Sequence, residues 1–178
     1  GMHPNDILLQ SLGNEKYETI IKQHFFRKKL KDAPIQRDVK VFWHVGNTGS
    51  GKTYVLHHLH QKYPDNVYTI NDYESGYLDD YLGEKVLFLD EFRGQIRFST
   101  FLTVLHGYTS RFHARYKNIV GLWEEVHITS VFAPEQLYHT MVQLGDQKID
   151  TIEQLNRRLT GVYYHWKFEN KYKNYYCP

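Results

Sequence analysis

Val39-Lys40-Val41-Phe42-Trp43-His44-Val45-Gly46-Asn47-Thr48-Gly49-Ser50-Gly51-Lys52-Thr53 is the stretch whose reading decides the fold. A mostly apolar run at 39–45 leads into the pattern G-x-x-x-x-G-K-[ST], and Val55, Leu56 and Leu59 then recur at helical spacing beyond it. Strand, glycine-rich loop and helix in that order form a phosphate-binding P-loop. Glycines let the backbone curl so that successive N–H groups point at phosphate oxygens, and the helix that follows adds the positive end of its dipole. Gly46, Asn47, Thr48, Gly49, Ser50, Gly51, Lys52 and Thr53 are therefore the candidate nucleotide-binding residues. Lys52 brings a cation to the outer phosphates, and the Thr53 hydroxyl is a hard oxygen ligand suited to Mg²⁺.

About 40 residues downstream, Val86-Leu87-Phe88-Leu89 is apolar at every position and ends in Asp90-Glu91. Such a run suits a parallel strand covered on both faces, whose carboxyl end emerges at the same sheet edge as the P-loop. Asp90 is then placed to hold a hydrated Mg²⁺. Glu91 can orient and deprotonate a water, which favours hydrolysis of a nucleoside triphosphate over transfer to an alcohol. Val126-His127-Ile128-Thr129-Ser130 reads as another buried strand ending in hydroxyls, which can sense the terminal phosphate or simply mark a turn.

The strands expected are 39–45, 67–71, 86–90, 126–130 and 162–168, with helices after the first, third and fourth. The fold class is α/β, a P-loop NTPase (AAA+-like) parallel sheet flanked by helices. Ahead of it, Ile7, Leu8 and Leu12, then Tyr17, Ile20, Ile21, His24 and Phe25, are spaced for two amphipathic helices over 6–33. Arg27, Lys28, Lys29 and Lys31 suit the second helix's C-terminus, and Pro34 stops it. This divides the chain into a helical segment at 2–36 and the P-loop domain at 37–178.

Between the acidic pair and the Thr-Ser strand, Arg111-Phe112-His113-Ala114-Arg115-Tyr116-Lys117 alternates strictly. At period 2, Arg111, His113, Arg115 and Lys117 share one face, about 7 Å apart, close to the phosphate spacing of an extended single strand. Asn118 to Gly121 is placed to turn the segment back as a hairpin. The stripe reads equally as an edge strand kept soluble by its cations. Farther on, Thr151-Ile152-Glu153-Gln154 has the capping-box form, opening a helix that carries Ile152, Leu155 and Leu159 inward. At about 100° per residue Arg157 points away from that face and Arg158 flanks it. An arginine so displayed can reach a neighbour's terminal phosphate in trans, though a surface arginine pair is also an ordinary solvated face.

Composition bounds the partners. The 178 residues carry a formal charge of +2, so no global field selects nucleic acid or membrane and any such binding is local. Hydrophobic residues at 41% argue against disorder, and no apolar run approaches the length of a membrane span. The lone Cys177 cannot form an internal disulfide or a cysteine zinc site, which suits a reducing, intracellular compartment. No signal peptide opens the sequence, and Gly1 ahead of Met2 resembles the remnant of a removed tag. The 15 Tyr and 11 His are read first as packing residues, with base stacking the minority role.

The whole series is a P-loop, an Asp-Glu strand, a basic hairpin, an I-T-S strand and E-Q-L-N-R-R-L-T before a last strand. It resembles the superfamily 3 helicase domain of replication initiator (Rep) proteins of circular single-stranded DNA viruses and related plasmids, circovirus-type proteins above all. The resemblance covers about 39–168, and 6–33 resembles the small oligomerisation segment ahead of that core. It implies that Gly46, Gly51, Lys52 and Thr53 bind ATP and Mg²⁺, and that Asp90 and Glu91 form the acidic motif. It further implies that 111–117 is a hairpin gripping single-stranded DNA, and that Arg157 or Arg158 is the finger of a homo-oligomeric ring, usually a hexamer. The implied setting is a bacterial cytoplasm or the nucleus of an infected eukaryotic cell.

One position departs from the family pattern. Asn commonly follows the I-T-S strand, and Val131 stands there, whose side chain cannot hydrogen-bond a water or phosphate. Ser130 or Thr129 is left as the substitute sensor. Such initiators often carry a nicking nuclease with a His-hydrophobic-His metal pair. His58-Leu59-His60 has that form, but on a helix its histidines diverge by about 200° and cannot share a metal, so the nuclease is expected to be absent. A P-loop phosphotransferase and a catalytically silent nucleotide- and DNA-binding assembly module remain as rival readings.

Overall fold

The computed structural model describes residues 3–10, 12–74, 76–113 and 118–178. Its strands are β1 (Lys40–Val45), β2 (Val67–Ile70), β3 (Val86–Leu89), β4 (Arg111–His113), β5 (Asn118–Val120), β6 (Glu125–Ser130), β7 (Gly161–Phe168) and β8 (Lys171–Cys177). The helices are α1 (Pro4–Leu9), α2 (Glu18–Lys31), α3 (Tyr54–Lys62), α4 (Phe98–Leu105), α5 (Pro134–Met141) and α6 (Ile152–Asn156), with a 3-10 turn at Leu12–Tyr17.

The main sheet has six strands in the order β2-β3-β6-β1-β7-β8. All neighbours are parallel except β7 and β8, which form an antiparallel hairpin. The expected α/β architecture is the observed one. Each expected strand appears, and α3, α4 and α5 follow β1, β3 and β6. The order also places β6 between the P-loop strand β1 and the acidic strand β3. Register pairs Val45 with Ser130 and Leu89 with Ile128, so three strand ends meet at one edge.

Both faces of the sheet are covered, which is why β3 is buried at all its positions. One face joins Val41, Trp43, Leu87, Leu89, Val126 and Ile128 to Phe101 and Leu105 of α4 and Leu137 of α5. On the other, Val86 and Phe88 pack against Leu59 of α3. That second face also buries a polar chain. His165 Nε2 lies 3.0 Å from His44 Nδ1, and His44 Nε2 lies 3.1 Å from His127 Nδ1. His127 Nε2 stands 3.4 Å from the Glu125 carboxylate, which also accepts a hydrogen bond from the Tyr63 hydroxyl at 2.7 Å. His44 stacks on Tyr163 at 5.1 Å, so the chain is satisfied edge to edge and face to face.

Four local expectations need correction. The apolar stripe expected along α2 is only partly covered: Ile21 and Phe25 are half-buried, but Ile20 is 64% exposed and no residue of the helix is fully buried. The helix docks through Phe26, edge-on to Tyr81, and through Lys29, whose ammonium donates to the Gly83 carbonyl at 2.8 Å. Asn118 begins the returning strand β5 of the small hairpin and is not its turn. Thr151 is the N-cap of α6, but its side chain makes no cap hydrogen bond. The helix also ends at Asn156, before the arginine pair. The last strand, β8, has no counterpart among the expected elements.

Candidate active site

Gly46 begins the P-loop where β1 ends, its N–H donating to the Ser130 carbonyl at 3.2 Å. It must be glycine. A Cβ there would lie 2.3 Å from the His165 backbone oxygen of β7, a contact no side chain tolerates. Gly51 closes the loop at φ +91° and also passes beneath an aromatic ring, since a Cβ would stand 2.8 Å from Tyr172 Cδ1. Asn47, Thr48 and Gly49 are exposed at the crest, Ser50 is buried, and Thr53 sits exposed as the N-cap of α3.

Lys52 is 9% exposed and curls back on its own loop, donating to the Gly46 and Asn47 carbonyls at 2.6 and 2.9 Å. Burial pulls its ammonium below the ordinary lysine value, opposed by the carboxylates of Glu91 and Asp90. The three charges therefore lie within electrostatic reach of one another.

Asp90 is held from two sides. The Thr129 hydroxyl at the end of β6 donates to Asp90 Oδ1 at 2.7 Å, and Tyr73 donates to the Asp90 carbonyl at 2.7 Å. The Glu91 N–H bonds Thr129 Oγ1 at 2.9 Å and Asp90 Oδ1 at 3.2 Å. Among the described residues both bonds to the Asp90 carboxylate fall on Oδ1, which leaves Oδ2 for a cation. A carboxylate oxygen and the Thr53 hydroxyl are the hard donors that Mg²⁺ takes. Glu91 adopts φ +46°, the left-handed region, at a bend that makes it exposed just beyond the buried strand. Its carboxylate pairs with Arg93 at 3.1 Å.

The hydroxyls at the end of β6 divide their work differently from the expectation. Ser130, assigned to nucleotide sensing, is 1% exposed and spent on the backbone, donating to the Phe92 carbonyl at 2.7 Å and accepting from the Phe132 N–H at 3.1 Å. Thr129 is the hydroxyl that reaches the acidic pair. Val131 is half-buried beside them.

Arg111 is exposed on β4, while Phe112 is buried against Trp123, so the alternation of the basic stripe holds where the strand is described. His113 ends β4, and Arg115 and Lys117, at 114–117, lie outside the described residues. Arg157 is exposed at the C-cap of α6; Arg158 is half-buried and donates to the Gln154 carbonyl. Burial lowers the Arg158 guanidinium from its ordinary value, with Arg157 adding to the effect. His58 and His60 are exposed on α3, His58 edge-on to Tyr54 at 4.7 Å.

The Tyr73 and Thr129 contacts were not singled out from sequence. For Thr129 the signal was present, a hydroxyl ending a strand, but choosing between it and Ser130 needed the register. Arg37 carried no signal. It is buried at 8% exposure, donates to the Trp123 and Tyr108 carbonyls, and clamps the small hairpin to the body of the domain.

A family model described as RNA helicase matches residues 42–117, from within β1 to the end of the basic stripe. The replication protein of Onion yellows phytoplasma (strain OY-M) is 29% identical over 167 residues, 92% of this chain. The chain spans 42% of that relative's length. The S. cerevisiae Hsp104-ADP complex is a similar solved structure, with 16% identity and a TM-score of 0.45 over 95% of this chain and 37% of that one.

Proposed function

We propose that this chain is the ATP-driven, ring-forming DNA helicase domain of a rolling-circle replication initiator, moving along single-stranded DNA as its hairpin follows the ATP cycle. The observation that carries the reading is the convergence of Lys52, Asp90, Glu91 and Thr129 at one sheet edge, with Thr129 bonded to both acidic residues. Similarity to a protein called a replication protein and to an RNA helicase model supports a nucleic-acid motor in replication. The order of motifs favours DNA.

On this reading Lys52 exchanges its two loop carbonyls for outer phosphate oxygens. Thr53 and Asp90 hold Mg²⁺, which when bound neutralises phosphate charge. Glu91 releases Arg93, orients the attacking water and accepts its proton, while Thr129 keeps the neighbouring Asp90 carboxylate aimed. Arg157, exposed and beyond the end of α6, supplies positive charge to a neighbouring subunit's terminal phosphate. Arg158, tied to Gln154, positions that turn. Arg111 and the stripe continuing from it track the DNA backbone. Ring assembly draws on apolar surface that one copy leaves uncovered in the helical segment, including Leu9 at 86% and Ile20 at 64% exposure.

The test is steady-state ATP hydrolysis across protein concentration, with and without single-stranded DNA, against Lys52→Ala. Turnover rising with both variables is expected. Nucleotide binding with no turnover above the Lys52→Ala blank would replace the motor with a silent assembly module, the reading that Val131 favours.

A further inference from the structure

A cavity of about 760 Å³ opens beside the P-loop, between the first turns of α3 and the β7–β8 hairpin. It lies on the β7 side of β1, whereas the acidic strand β3 lies beyond β6 on the other side. Ser50, Tyr54, His58, His165, Tyr172 and Asn174 line it. Three features mark it as built for a ligand. Tyr54 and Tyr172 stand at its rim 62% and 65% exposed, Tyr54 edge-on to His58 and Tyr172 with the Lys167 ammonium 5.5 Å from its ring centre. The Ser50 hydroxyl is 4% exposed and, among the described residues, has no hydrogen-bond partner, a cost that a donor or acceptor arriving in the cavity would remove. The imidazole of His165 is already held by His44, which gives the floor a fixed shape.

We propose that this cavity seats the purine base and ribose of the nucleotide whose phosphates occupy the P-loop, with Tyr172 as the stacking platform. The inference rests on the nucleotide-binding reading of that loop and adds the subsite that would tell a nucleotide from a bare polyphosphate. Tyr172 is joined to the phosphate site directly, because its ring lies over Gly51, where even a Cβ would come within 2.8 Å. A ligand running from the Gly51 backbone toward β8 meets this ring first. Aromatic stacking accepts any base and supplies affinity, while the Asn174 amide is the polar group available to a base edge.

The experiment measures equilibrium binding of ATP and of inorganic tripolyphosphate, both with Mg²⁺, to the full chain and its variants. Tyr172→Ala is expected to weaken ATP about tenfold and leave tripolyphosphate unchanged, with Tyr172→Phe matching the parent. Tyr172→Trp, which keeps a ring on Gly51, should give indole emission quenched by ATP and not by tripolyphosphate; this arm stands if the alanine variant fails to fold. Unchanged ATP affinity in Tyr172→Ala, equal weakening of both ligands, or no selective quenching in Tyr172→Trp overturns the base subsite. A separate failure, Lys52→Ala binding both ligands as the parent does, would instead overturn the P-loop reading.

Discussion

Replacing Thr129 by Val tests whether the end of β6 organises the acidic pair. Val matches Thr in shape, so no cavity opens and the change isolates the hydroxyl at a site 1% exposed. The lost bond to Asp90 Oδ1, 2.7 Å long, is charge-assisted, a class contributing about 1.5–3 kcal/mol. The Glu91 N–H keeps its longer bond to Asp90 Oδ1 at 3.2 Å, so little is added on that side. Asp90 is half-buried, where water partly replaces the missing donor, which sets the expectation near the lower end, about 2 kcal/mol. For a chain of this length that is a fall in Tm of about 4–8 °C. Urea and thermal unfolding read it directly, and Thr129→Ser should recover most of the loss. In a double-mutant cycle with Asp90→Asn the two changes should be strongly non-additive. A Thr129→Val protein within about 0.5 kcal/mol of the parent, or additive with Asp90→Asn, would refute the argument.

Lys52→Ala should remove ATP turnover while leaving the melting temperature within a few degrees, since among the described residues Lys52 bonds only its own loop; unfolding of the variant would contradict this. Arg157→Ala should lose turnover yet recover part of it when mixed with Lys52→Ala, because one mixed interface then carries both intact groups. Arg158→Ala should mainly lower stability, and normal hydrolysis by assembled Arg157→Ala would end the finger assignment. Stability should fall on acidification in two stages. Burial, with His127 and His165 adding to it, holds His44 well below the ordinary histidine value, so the unfolded chain binds more protons and stability drops as pH falls below about 6.5. Glu125, held down to about 2 chiefly by its bond to His127, adds a second loss as pH falls from about 4.5 toward 2. His44→Phe should flatten the first limb and Glu125→Gln the second, measured by urea unfolding at stepped pH.

The parallel sheet was legible because its signals are local: an apolar run ending at Gly46, another ending at Asp90, and helical spacing after the P-loop. Thr129 was only partly legible, since which of two adjacent hydroxyls faces Asp90 depends on strand register, a non-local property. Strand β8 was missed for a different reason. Lys171 to Cys177 is exposed at every position, so it lacks the in-out contrast by which a half-buried strand announces itself. The docking of α2 was not legible because helical periodicity shows that an apolar stripe exists but not what covers it. Here the docking contact is Phe26 with Lys29.

Being the outermost strand and exposed along its whole length, β8 is held by its ladder to β7 with little burial to reinforce it. It should therefore open locally at a small fraction of the free energy needed to unfold the domain, and its amides should exchange with solvent early. If a nucleotide leans on Tyr172, the same strand becomes a clamp that closes only when loaded. The edge of the sheet would then be soft or firm according to what the P-loop holds, and anything that grips that edge from outside would sense the difference.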